Sequence, residues 1–298
     1  MSIKTKLICT LFAISILHHP LIKGEGITES TPLLLSEPAF HGVMTNPLRG
    51  DGFGAQFLTI IFSVIYAELN NLKYYYTPFI NLEHNYDGDP DFIQKKETLI
   101  NFIENFDLNR DPDLQNKVNA NHVARYRENT VNHLILFFNN NFTACINSNA
   151  LKRIKYIFKA NKTKSTYFDC DRFNIAVHIR RPNPHDSRLD GADTPDELFL
   201  NIIQFLSEKY ASENPIFHIY SQGDVNQFKL IYNSNDIVFH INESVEDTFT
   251  SLVLADVLVT SRSDFSYTAG MISDGIIYSI PYWYPVLPHW ISWPPASI

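Results

Sequence analysis

The sequence predicts an α/β protein whose C-terminal half is a doubly wound parallel sheet. Between Ile175 and Ile280, short apolar runs alternate with segments of helical spacing, the pattern of strands joined by crossover helices. The run FNIAVHIRRP, Phe173 to Pro182, ends in two arginines and a proline that cannot continue a central strand. Polar residues follow three of the predicted strands, at Arg180–Arg181, Ser221–Gln222–Gly223 and Thr260–Ser263. Sheets of this kind bind ligands at those strand ends.

The elements follow in chain order. Lys4 and Lys6 precede LICTLFAISIL, Leu7 to Leu17, an apolar stretch short for a membrane span. Residues 1–23 therefore read as a secretory signal, cleaved or retained as an anchor, which predicts a secretory-pathway or exported protein, attached to a membrane where the segment is retained. Residues 24–41 lack a period and read as a linker. An N-terminal domain is expected over 42–165 and a second over 166–298. RGDGFGAQF, Arg49 to Phe57, is a glycine-rich turn entering a helix whose face is Phe57, Ile60, Ile61, Val64 and Ile65. Tyr74–Phe79 reads as a short strand, and Ile93, Ile100 and Ile103 fit a helix. Leu134–Phe138 fits a strand or a buried helix, and Asn149–Ala160 a basic amphipathic helix.

In the second half, strands are predicted at Ile175–Ile179, Ile216–Tyr220, Ile237–His240, Val257–Thr260 and Ile276–Ile280. Helices are predicted at Pro195–Tyr210, Asp224–Tyr232, Val245–Leu254 and Tyr267–Ser273. Thr194 reads as an N-cap with Pro195 at the first helical position. The Trp- and Tyr-rich tail, Pro281 to Pro295, is expected to pack across the sheet edge, with a sugar-stacking platform as the alternative.

A net charge of -8 excludes nonspecific nucleic-acid binding, which needs a basic face. The arginine pair is then a local site or an ordinary set of surface ion pairs. Three cysteines are present, Cys9 within the signal, and Cys145 and Cys170 could pair in a secretory compartment. The sequons at Asn141, Asn161 and Asn242 are no more than this composition supplies by chance. The histidines show no metal-ligand spacing. Asp87-Gly88-Asp89-Pro90-Asp91 has the Asp-x-Asp form of a metal–diphosphate site, but its glycine and proline favour a turn before a helix.

Arginine's planar fork suits phosphate oxygens, and His178 lies two residues before Arg180, on the same strand face. The run VLVTSRSDFSYTAG passes from a strand through hydroxyls into a helix start, where backbone amides can hold an anion. Ser263 or Asp264 caps that helix in either case.

His178-Ile179-Arg180-Arg181 resembles the His-x-Arg-Arg motif of α1,2/α1,6-type fucosyltransferases and the related protein O-fucosyltransferases. Glu246 to Gly270 is similar to their later motif, and Arg49–Phe57 to the glycine-rich loop of the α1,2 group. The resemblance implies a GT-B-like fold of two Rossmann-like domains. It also implies inverting transfer of fucose or a related sugar from a GDP-sugar to a glycan hydroxyl, without a metal or other cofactor. Carried over by position, Arg180 and His178 are the catalytic residues, Arg180 neutralising the departing diphosphate. Arg181 assists or holds the loop, and Asp247 or Thr248 meets guanine. Ser263 and Ser266 cap the pyrophosphate beside Phe265, and Gly52, Phe53, Gly54 and Gln56 line the cleft.

Two departures stand against it. Pro182-Asn183-Pro184 follows the arginines where the family carries an aspartate, and Asp264 sits between Ser263 and Phe265. Both leave open a degenerate protein that binds nucleotide or glycan without turnover.

Overall fold

The structure, a computed structural model, describes residues 40–114, 130–160, 162, 165–169, 171–181 and 194–295. The predicted signal and nearly all of the linker, the loop after the arginines, Asn161 and Cys170 lie outside the described residues.

The N-terminal half begins with β1 (Gly42–Thr45), which pairs in parallel with β2 (Leu72–Tyr75) across helix α1 (Phe53–Leu69). The expected amphipathic face understates α1: it is buried almost all round from Phe53 to Ala67, as befits a helix at the centre of a core. Helices α2 (Phe92–Ile100), α3 (Thr130–Asn140), α4 (Phe142–Asn147) and α5 (Asn149–Lys159) follow. Leu134–Phe138 is thus helical. Asp87–Asp91 forms the turn before α2, where Gly88 has φ 65 and Asp89 accepts from Lys95 Nζ at 2.7 Å. Cys145 is a buried free thiol on α4.

The second half supplies β3 (Phe173–His178), α6 (Asp196–Lys209), β4 (Pro215–Ser221), α7 (Val225–Ile231), β5 (Ile237–Ile241), α8 (Val245–Leu254), β6 (Val257–Val259), α9 (Asp264–Ile272), β7 (Ile276–Ser279) and β8 (Ile291–Ser292). The strands form a parallel sheet in the order β5-β4-β3-β6-β7-β8. This is a Rossmann-type order with its reversal between β3 and β6. The sheet is doubly wound: Ile175, Val177, Phe217 and Ile219 face Phe199 and Ile202 of α6. On the other side, Ala176, Tyr220 and Leu258 join α1, α5, α8 and α9 in the larger core. The fold class is therefore the α/β class predicted, with a second parallel pair, β1–β2, in the N-terminal half.

One boundary departs from prediction. Pro195, not Thr194, takes the N-cap place of α6, and Asp196 and Glu197 supply the acids of the first turn. The tail packs at the sheet edge as expected. β8 extends β7, and Tyr284, Leu287 and Trp290 are buried in the larger core. Trp283 is 67% exposed and stacks on Tyr282 at 4.6 Å. Among the described residues no helix is long and apolar enough to cross a membrane.

A buried ion pair ties the halves together. Lys96 of α2, 2% exposed, donates to Glu246 of α8 at 2.7 Å and lies over the Phe92 ring at 3.7 Å. Removing Glu246 would strand a buried cation, which is costly.

Candidate active site

The site forms where the strand order reverses. β3 ends at His178 and β6 at Val259, so the residues that follow meet in the crevice between their C-terminal ends. Ser261 Oγ and His178 Nδ1 bridge that crevice at 2.8 Å. Desolvation, with the adjacent Arg180 guanidinium, pushes His178 down to about 3. The imidazole is neutral at ordinary pH and too weakly basic to take up a proton there.

Two helices start at this crevice. α1 begins after Gly52, without a side-chain cap and with no acid in its first turn. α9 begins after Ser263, whose Oγ accepts from Phe265 N at 3.3 Å. The two meet at Gly54. A Cβ there would stand 2.4 Å from Phe265 Cα and 2.6 Å from its nitrogen, so only glycine allows the approach. Thr268 Oγ1 donates to Gly54 O at 3.0 Å and fastens the junction. Phe53, Phe249 and Phe265 pack edge to face beneath it.

A cavity of about 180 Å³ opens at this place, smaller than the roughly 300–1,000 Å³ that buries a whole small-molecule ligand. Of the residues picked from the sequence, His178, Arg180, Arg181, Gly52, Phe53, Gly54, Thr248, Ser263 and Phe265 line it.

Three others lie off its lining. The Gln56 amide donates to Asp51 O at 2.8 Å and Asn81 O at 2.6 Å and so braces the glycine loop. Asp247 accepts from Ser244 Oγ at 2.7 Å at the start of α8. Ser266 is fully buried, accepting from Ser261 N at 3.1 Å. Each makes a polar contact within the fold. Arg181, although it lines the cavity, donates to Asp196, which also accepts from Tyr232; it anchors α6.

Besides the motif residues, Asp51, Glu83, Phe92 and Glu243 line the same cavity, together with His84 from the loop before α2 and Asp264 at the start of α9. Asp51 pairs with Arg49 and accepts from Gly52 N at 2.8 Å. Glu243 accepts from Tyr167 at 2.8 Å. Carboxylates of this kind accept hydrogen bonds from sugar hydroxyls or base N–H groups. Among the described residues no group of three His, Cys, Asp or Glu side chains is arranged to hold a metal.

No family profile and no curated protein matches the chain. Among solved structures, the E. coli heptosyltransferase WaaC with ADP-2-deoxy-2-fluoro heptose overlaps at TM-score 0.38 and 10% identity, covering 84% of this chain and 92% of that one. The fucosyltransferase NodZ from Bradyrhizobium overlaps at 0.36 and 10%, covering 78% and 92%. POFUT1 in complex with GDP overlaps at 0.37 and 12%, covering 78% and 94%. Two of these neighbours are a heptosyltransferase and a fucosyltransferase, and all three overlaps are loose. The reading of the site rests on this chain's own geometry.

Proposed function

We propose that the cavity binds the diphosphate of a nucleotide sugar, and that the chain transfers the sugar to a glycan hydroxyl with inversion. The observation that carries this is the position of Arg180: it follows β3 at the reversal of the sheet, in a cavity also lined by the starts of α1 and α9. A guanidinium and two helix starts lining one cavity suit a leaving diphosphate. Neutral His178 orients the ligand by hydrogen bonding. Thr248 and Glu243 offer acceptors for the N–H edge of guanine, Asp247 being engaged at the start of α8. GDP-fucose or a related GDP-sugar is the donor, and no metal is required. A secretory-pathway location, with the N-terminal segment as signal or anchor, belongs to the same proposal.

Calorimetric titration with GDP, UDP and GMP in EDTA tests it. GDP should bind most tightly, and Arg180→Ala should weaken GDP at least about 30-fold, the loss of a charge-assisted pair. Its melting temperature should stay within a few degrees of wild type. A protein indifferent to all three nucleotides, or an Arg180→Ala variant that binds GDP normally, refutes the proposal. Asp264 in the first turn of α9 favours a second reading, binding without turnover. GDP-fucose bound but never hydrolysed or transferred would select it.

A further inference from the structure

The transfer needs a group to accept the proton of the attacking hydroxyl, and His178 is too weakly basic for that. Of the remaining cavity residues, His84 is held in an unusual way. Its backbone lies in the left-handed region, φ 74, a conformation uncommon outside glycine that persists where the surroundings enforce it. Its ring lies against Gly52, where a Cβ would stand 2.7 Å from Cδ2 and 2.9 Å from Nε2. Glycine at the N-cap of α1 is therefore what admits the imidazole to this edge of the cavity. Nδ1 is hydrogen-bonded to the Tyr86 hydroxyl, and the two rings meet edge to face at 5.5 Å.

We infer that His84 is the general base of the reaction and that Tyr86 is its positioning residue. This rests on the donor reading above. With Nδ1–H donating to Tyr86, Nε2 holds the lone pair on the Gly52 side. The acceptor hydroxyl gives its proton to Nε2 as its oxygen bonds to the sugar's anomeric carbon. The bond from that carbon to the diphosphate breaks, its electron pair leaves with the phosphate oxygen beside Arg180, and the imidazolium later returns its proton to solvent. A base on the glycine-loop side and an arginine after β3 divide the two ends of one displacement between the two halves of the chain. Glu83 next to His84, Asp51 next to Gly52 and Tyr86 on Nδ1 are the titratable groups beside it, and His178, Arg180, Arg181, Glu243 and Asp264 share the cavity with it.

The test uses the full chain with GDP-fucose, water serving as the acceptor, and reads GDP release across pH 5–9 together with GDP affinity by calorimetry. His84→Asn is the variant of choice, because asparagine tolerates a positive φ. It should keep GDP affinity within about twofold, which also shows that it folds. It should slow GDP release by about 100-fold or more and remove the acidic limb of the pH profile. Tyr86→Phe should slow release several-fold and shift that limb without abolishing it, which a purely structural role would not do. A His84→Asn enzyme with the wild-type rate and profile overturns the base assignment and leaves the donor reading standing. Wild-type protein that binds no GDP overturns the donor reading and the base assignment together.

Discussion

The two helix starts at the cavity are finished in opposite ways. α9 is completed by its own sequence: Ser263 accepts from Phe265 N, and Asp264 places an acid in the first turn. α1 begins at a glycine, has no side-chain cap and no acid in its first turn, and Asp51 just before it is occupied by Arg49 and Gly52 N. Side chains already answer part of the positive end of α9, whereas α1 presents its own to whatever enters. On the proposed reading, the glycine loop and Arg180 then carry more of the anion binding than the start of α9, where Asp264 opposes it.

The most severe way to break this comparison is to part the two helices. Gly54→Ala forces a methyl group onto the Phe265 backbone and should lower stability by about 2–4 kcal/mol, as overpacking against unyielding atoms does. Urea unfolding measures it, and a loss below about 1 kcal/mol would show that the junction is soft. Acid probes the α9 side next. An unfolded histidine binds its proton near pH 6.5, while His178 resists until about 3 and His218 until about 4. Between those values the unfolded chain holds more protons, so stability falls as pH falls. Melting temperature should drop steadily from pH 7 to pH 5, and His178→Asn should flatten the slope; an unchanged slope would remove His178 from this account. The smallest effect sharpens the contrast. Asp264→Asn removes the acid from the α9 start and should tighten GDP about two- to fivefold, a gain that fades in high salt. Equal or weaker binding in calorimetry would mean that α9 does not sense the ligand's charge.

Much of this was legible in the chain. Apolar β3 running into Arg180 announced both a buried strand and a polar strand end, and alternation along residues 175–280 announced the parallel sheet. Local pattern also marked Gly52 and Gly54 as unusual, although not their reasons, the His84 ring and the Phe265 backbone. Contacts between distant segments stayed hidden. Glu83, His84 and Glu243 sit on loops without periodicity, and only tertiary packing brings them to Arg180. Gln56, Asp247 and Ser266 were placed by position in a motif, and position does not reveal that the Gln56 amide braces the glycine loop, that Asp247 accepts from the capping Ser244 or that Ser266 lies in the core. The Lys96–Glu246 pair joins residues 150 positions apart, beyond any sequence-local rule.

The contact at Gly54 has a mechanical meaning as well. Backbone touches backbone there, and the Thr268 hydroxyl bonds across it, so the two sides of the crevice have no room to slide past each other. The spacing of α1 and α9 at the floor of the crevice is thereby set by main-chain atoms, which no change of rotamer can relax.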